Sequence, residues 1–216
     1  MSRRFAVFVG GLIFLAILGA CGDDGYPADL RDADYDLAAM AIQDGDVAGY
    51  VKDGDSTYNN DEYSLLFDTD VPESKKRQLD ARGRVSNFMS FFSQEPLDDF
   101  ARPVIFYTSS TLFEDTTAAS DSVRTDCGLP IDDRIPLEEF GIIKIGDESS
   151  AFTNRETDLF SHVSVCFRTG RVVHAVVLRG PTGTEDIAMS VRLAQQMLER
   201  VDEAFAEMGD ELESDS

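Results

Sequence analysis

The sequence predicts an α+β fold, an antiparallel β-sheet with helices packed on it and a long C-terminal helix. Three observations carry that expectation. Leu159 to Phe167 and Arg171 to Leu178 are two apolar runs joined by Thr169-Gly170, the signature of a hairpin. From Ile187 to Phe205 the apolar positions Ile187, Val191, Ala194, Leu198, Val201 and Phe205 recur in steps of four and three, one helical face about five turns long. An earlier strand, strand, helix succession precedes them. The chain has 216 residues, 43% hydrophobic and 10% aromatic, enough to bury a core in a single domain.

In chain order, Asp36 to Gln43 carries helix formers over a short span. Val47 to Val51 reads as a strand between acidic turns, and Asn60 as the N-cap of a helix running to about Asp68. Arg84 to Phe92 and Pro103 to Thr108 read as strands, and Phe113 to Arg124 as a helix with few strong apolar positions. Ser149 to Asn154 is a short strand ahead of the hairpin. After it Gly180-Pro181-Thr182-Gly183 breaks the chain, and Thr184 is placed to cap the last helix, with Glu185 and Asp186 in its first turn. Strand, strand, helix thus occurs twice, which raises internal duplication at low residue identity. The domain is expected over residues 36–208, with an acidic, Gly- and Pro-broken tether over 21–35 and a frayed acidic tail over 209–216.

Charge narrows the partners. Nineteen basic residues against 41 acidic ones give a formal net charge of −22. Phosphate backbones demand a cationic footprint, so nucleic acid is excluded as a partner, and attraction to anionic lipid headgroups is disfavoured. Something other than the protein's own electrostatics must hold it at any membrane.

The first 21 residues provide that address. Arg3 and Arg4 precede an uncharged apolar run from Phe5 to Leu18, too short to span a bilayer comfortably, and Leu18-Gly19-Ala20-Cys21 follows. This segment resembles the lipobox of bacterial lipoproteins. The resemblance implies that residues 1–20 are a signal peptide, that Cys21 becomes the lipidated first residue, and that the protein sits extracytoplasmically at a membrane by that lipid. A plain secretory signal or a short membrane anchor are the alternatives. Loss of Arg3 and Arg4 with the leader leaves 17 basic against 41 acidic residues, a charge of −24.

If Cys21 carries lipid, Cys127 and Cys166 remain as an even pair in an oxidising place. A bridge there closes a loop of about 40 residues, worth roughly 3–4 kcal/mol in the chain-entropy model; two separate thiols are the alternative. Asp44 to Asp55 partly resembles an EF-hand or dockerin calcium loop, with Asp44, Asp46 and Asp55 at the first, third and twelfth positions and Gly49 at the turn. Ala48 stands where an oxygen ligand belongs and Lys52 adds a cation, so a strand between acidic turns explains the segment better.

His162 and His174 fall in the hairpin. A two-residue Thr169-Gly170 turn sets Arg168 opposite Arg171, His174 opposite Val165 and His162 opposite Val177, with the two imidazoles on opposite faces and unable to share a metal. Gly180 to Thr184 lacks the Gly-Lys-Ser/Thr ending of a phosphate loop. Gly146-Asp147-Glu148 and Asp132-Asp133 read as turn chemistry. No catalytic residue, metal or cofactor is assigned.

The mature block also resembles extracytoplasmic bacterial domains without an assigned activity, on Asp46-Val47-Ala48-Gly49-Tyr50, an asparagine like Asn60, Gly83-Arg84-Val85, and Ile145-Gly146-Asp147-Glu148 before a terminal hairpin and helix. The resemblance implies a small sheet-plus-helix shape of the PsbP and Mog1 kind. The expected function is a lipid-anchored envelope protein that binds a protein or small-molecule ligand without turning it over. An envelope hydrolase with an unrecognised site and a calcium-dependent adhesion module are the alternatives.

Overall fold

A computed structural model describes residues 26–27, 30–66, 72–97, 100–125, 127, 138–155 and 159–214. In chain order it contains β1 (Tyr50–Tyr58), α1 (Asn60–Ser64), α2 (Pro72–Ala81), β2 (Arg84–Gln94), β3 (Ile105–Phe113), α3 (Thr116–Thr125), β4 (Glu138–Glu139), β5 (Glu148–Arg155), β6 (Phe160–Thr169), β7 (Val172–Pro181) and α4 (Ile187–Ser214). The seven strands form one sheet in the order β1-β2-β3-β7-β6-β5-β4, antiparallel throughout. The α+β expectation holds.

Strand alternation gives the sheet two unlike faces. Phe88 and Phe92 of β2, Phe106 and Leu112 of β3, Val163, Val165 and Phe167 of β6, and Val172, Val176 and Leu178 of β7 point to one face. There they meet Met189, Leu193, Ala194, Met197, Val201, Ala204, Phe205 and Met208 of α4, together with Tyr35, Leu37, Met40 and Ile42. The opposite face holds two smaller clusters. Phe113, Val173 and Ala175 pack with Ala119 and Val123 of α3, and Met89 packs with Tyr63 of α1 and Leu79 of α2.

Helix α4 is longer than expected and turned on its axis. Ile187 is 41% exposed while Val191 and Leu198 lie at the margin of the core, and the buried stripe runs through Leu193, Met197, Val201 and Ala204. Its cap is Asp186, whose Oδ1 accepts from the Met189 N–H at 2.8 Å; the Thr184 hydroxyl instead donates to the Pro181 carbonyl. The helix continues through the expected acidic tail to Ser214.

Four further expectations are corrected. Packing begins ahead of Asp36: Tyr26 donates to Asp202 at 2.6 Å and rests against the Phe205 ring, so the end of the 21–35 segment is docked. Asp36 to Gln43 forms turns, because Asp36 Oδ1 takes the Ala38 and Ala39 N–H groups, a local alternative to helix. The N-cap of α1 is Asn59, in a reciprocal box with Glu62, and the helix is only five residues long. Asn60 is then free to turn inward. Phe113 belongs to β3, and α3 starts three residues later with Asp115 Oδ1 accepting from the Ala118 N–H.

The hairpin register also differs by two residues. Thr169 pairs with Val172 and Phe167 with His174, so the loop is Gly170-Arg171. Gly170 has φ 56°, and two-residue hairpin loops place positive φ at their first position, which glycine adopts without strain. Arg171 swings back to donate to the Leu30 carbonyl at 2.8 Å and to Asp32 at 2.9 Å, tying the N-terminal segment to the hairpin.

The repeated strand, strand, helix pattern does not extend to packing. The halves meet at the antiparallel pair β3/β7, where a duplication would need a dyad normal to the sheet and both helices on one face. Helices α3 and α4 lie on opposite faces.

Candidate functional site

Cys127 and Cys166 are joined by a disulfide, with their Cα atoms 5.4 Å apart. Cys127 follows α3 with φ 56°, and Cys166 sits in β6 facing α3. Both are essentially buried among Phe152, Val123 and Ala175. The bridge thus fastens the end of α3 to the centre of the sheet. Cys21, the expected lipidation site, and the Asp132-Asp133 pair lie outside the described residues.

The calcium-loop aspartates are dispersed. β1 begins at Tyr50 and replaces the expected Val47–Val51 strand, running through the last six loop positions. Asp46 accepts from Arg200 at 2.7 and 3.0 Å and from the Gln43 N–H at 2.8 Å. Asp44 accepts from the Lys52 N–H at 3.3 Å, and Asp55 pairs with the Lys52 ammonium. Among the described residues no three His, Cys, Asp or Glu side chains gather where a metal ion could sit.

The two-residue register shift preserves strand parity, so the histidines stay on opposite faces. His174 is fully buried beneath α4. Its Nδ1 lies 3.0 Å from Ser110 Oγ, its Nε2 lies 2.8 Å from Thr169 Oγ1, and its ring stacks on Phe167. Burial disfavours the imidazolium and lowers its pKa to about 3. The Ser110–His174 contact joins a hydroxyl to an imidazole, yet the pair is sealed away from substrate and works as a core hydrogen bond. His162 is half-buried on the other side.

The acidic turn 145–148 is structural. Gly146 has φ 60°, and a Cβ there would stand 2.5 Å from the Arg168 carbonyl. Asp147 accepts from the Gly170 N–H at 2.8 Å and pairs with Arg168 at 3.2 Å. Glu148 meets Arg124 at 2.6 Å and Ser120 at 2.5 Å. Burial pushes its carboxyl upward, but those donors, with Arg168 behind them, outweigh it and hold it below the ordinary value. In the loop after β7, Glu185 accepts from the Gly183 N–H at 3.0 Å, so that amide is already taken.

Two polar arrangements have no counterpart in the sequence reading. Arg84 is buried with its guanidinium 3.8 Å above the Tyr63 ring, and donates to Asn60 Oδ1. Asn60 Nδ2 donates to Asp80 and to the Arg84 carbonyl, both at 2.7 Å. Burial pulls Arg84 down to about 10. The second is an open cleft of about 480 Å³ between the end of α2 and α3, lined by Arg82, Gly83, Glu114, Asp115, Thr117, Asp121 and Thr125 among others. Its carboxylates and hydroxyls can accept hydrogen bonds from a ligand, while its lining contains no histidine, cysteine or lysine to act as a nucleophile or base near neutrality. The two segments that build it are about 30 residues apart, and neither has a motif. Only their meeting across the sheet produces the cleft.

No helix among the described residues is long and apolar enough to cross a membrane. No family model and no curated protein matches the chain. Among solved structures it is similar to the extracellular domain of PknH from Mycobacterium tuberculosis, at 12% identity and a TM-score of 0.49, over 77% of this chain and 95% of that one.

Proposed function

We propose that this chain is an extracytoplasmic lipoprotein, held at a membrane by lipid on Cys21, whose domain binds a partner or ligand and turns nothing over. The observation that carries the reading is the division of its three cysteines. Cys127 and Cys166 bond to each other. The third, Cys21, closes the Leu18-Gly19-Ala20-Cys21 segment behind a short apolar leader. Buried disulfides belong to oxidising compartments, which agrees with that leader. Docking of Tyr26 only five residues after Cys21 keeps the domain close to the bilayer, although its charge repels anionic headgroups. The binding half of the reading draws on chemistry already committed elsewhere. His174 is spent on core hydroxyls, Asp46 on Arg200, and Glu148 on Arg124.

Intact-mass analysis of membrane-extracted protein, with Cys21→Ala as control, tests the address. The expected mass lacks the leader and carries a diacylglycerol-type adduct that the Cys21→Ala protein lacks. An unmodified full-length mass sinks the address. A turnover screen of the folded domain against esters, peptides and glycans tests the binding half; robust activity abolished by one polar substitution overturns it.

A further inference from the structure

Eight large apolar residues are exposed among the described residues, and five of them, Val51, Leu97, Phe100, Leu159 and Ile187, collect at one end of the sheet; Leu65, Leu66 and Ile143 do not. The strand register places them together. Tyr50 pairs with Gln94, Ser93 with Ile105, Ile105 with Arg179, and Pro181 with Phe160, so the starts of β1, β3 and β6 and the ends of β2 and β7 share that end. Leu97 is 59%, Phe100 60% and Leu159 72% exposed, a concentration that isolated surface leucines do not produce.

The end is tightly knit. Tyr50 donates to the Pro103 carbonyl at 2.7 Å, the Val104 N–H donates to the Arg179 carbonyl at 2.9 Å, and the Thr182 N–H donates to the Leu159 carbonyl at 2.9 Å. A Cβ on Gly180 would meet Pro103 Cα at 3.0 Å and Thr184 Oγ1 at 2.9 Å. Amid the apolar side chains stands Arg102, half-buried, its guanidinium 5.4 Å from the Tyr50 ring centroid. Among the described residues it has no carboxylate partner. A half-desolvated arginine held over an aromatic ring and flanked by leucine and phenylalanine has the composition of an interface hot spot.

We propose that this end of the sheet is a docking surface for an apolar segment of another protein, which presents a carbonyl or carboxylate oxygen to Arg102. This rests on the lipoprotein reading for its orientation. Tyr26 and Pro27 lie beside Gly170 at the opposite end, about 30 Å away along the ten residues of β7. Five residues from Cys21 to Tyr26 reach at most about 18 Å, so lipid on Cys21 cannot fold back over the apolar end. That end points away from the anchoring bilayer. The charge of −22 opposes both an anionic lipid surface and a second copy of the chain as occupant.

The test places a photo-reactive side chain at Leu97 or Leu159 in the full-length chain, in the membrane of the producing cell. Control positions are Leu65, Ile143 and, in the cleft, Thr117. Leu97 and Leu159 are expected to label one and the same protein through an apolar peptide. Arg102→Glu is expected to weaken that labelling by about tenfold or more while leaving the melting temperature unchanged. The chain has no tryptophan, so Phe100→Trp supplies a lone reporter that shifts blue with the mapped peptide and stays unshifted with phosphatidylglycerol vesicles. Labelling of lipid or of a second copy from the apolar end overturns the proposal, as does labelling confined to Thr117 or Ile143, which leaves the binding reading intact. Absence of adducts at every position defeats both.

Discussion

The two faces of the sheet are closed by different means. On the α4 face one continuous core runs from Met40 and Ile42 across Phe92 and Phe106, stacked with centroids 4.4 Å apart, to Phe167, Met197 and Val201. On the other face the apolar contacts break into two small clusters, each under short helices of five or ten residues. The first has the Cys127–Cys166 bridge at its centre, and the second is covered by Arg84 stacked on Tyr63. A helix of 28 residues lays enough apolar surface across a sheet to hold by burial alone; helices of one to three turns do not, and covalent and polar ties take over.

That contrast breaks first if cavity formation under α4 is cheap. Phe106→Ala removes one ring of the stack and the edge that meets Tyr50, and is expected to cost about 3–5 kcal/mol in urea unfolding. On the other face the same scale of loss should come from the staple. Cys127→Ala with Cys166→Ala opens a loop of 39 residues and should cost about 3–4 kcal/mol, with near-ultraviolet dichroism tracking α3. A double variant as stable as the parent would mean that α3 needs no tie, and the contrast would fail.

Removing Asn60 probes the polar tie. Asn60→Ala strands the buried Arg84 guanidinium without its acceptor and should cost about 2–3 kcal/mol. Arg84→Met added to it should recover much of that loss, because the unpaired charge leaves with the side chain. A double variant worse than either single one would show that the stack on Tyr63, and not the charge, holds α1 and α2 in place.

The α4 face has its own weak point in acid. His174 has a folded pKa of about 3 against an unfolded value near 6.5, so unfolding takes up a proton between those limits. Stability is complete above the upper limit and falls as pH drops through the window, with a slope approaching 1.4 kcal/mol per pH unit, about that of one proton. Between about pH 6 and 4.5, before most carboxylates protonate, the slope belongs largely to this imidazole. His174→Gln keeps hydrogen-bonding partners for Ser110 and Thr169 and should flatten it; an unchanged slope would place the acid sensitivity elsewhere.

How much of this was legible in the sequence follows the same division. The face closed by burial announced itself: the β6/β7 hairpin and α4 have apolar periods long enough to read, and the errors there were small shifts of turn and helix axis. Gly170 stood first in its loop where Thr169-Gly170 placed it second. The other face left little trace. Helix α2 is Pro-Glu-Ser-Lys-Lys-Arg-Gln-Leu-Asp-Ala and buries only Leu79, so no apolar period exists to find. Strand β1 is an edge strand whose Lys52, Asp53 and Asp55 read as loop chemistry. The cleft and the Arg84 cluster arise from segments that meet only after folding, while Cys127 and Cys166 were visible as a pair but not as a bond.

The smallest expected effect separates the faces most finely. Asn59 caps α1 and Asp186 caps α4, each accepting a backbone N–H at 2.8–2.9 Å. Removing either cap deletes the same kind of bond, and each alanine variant should cost about 1 kcal/mol or less globally. The local consequences should differ. In α4 the first turn is pinned by Met189 and Leu193 against the core, so amide exchange there should change little beyond the lost bond. In α1 the cap serves a helix of five residues, too short to persist on its own, and Asn59→Ala should raise exchange across Asn60–Ser64 together. Equal exchange changes at the two caps would show that α1 is held by Tyr63 and Arg84 as firmly as α4 is by its core, and the polar face would then need no further account of its stability.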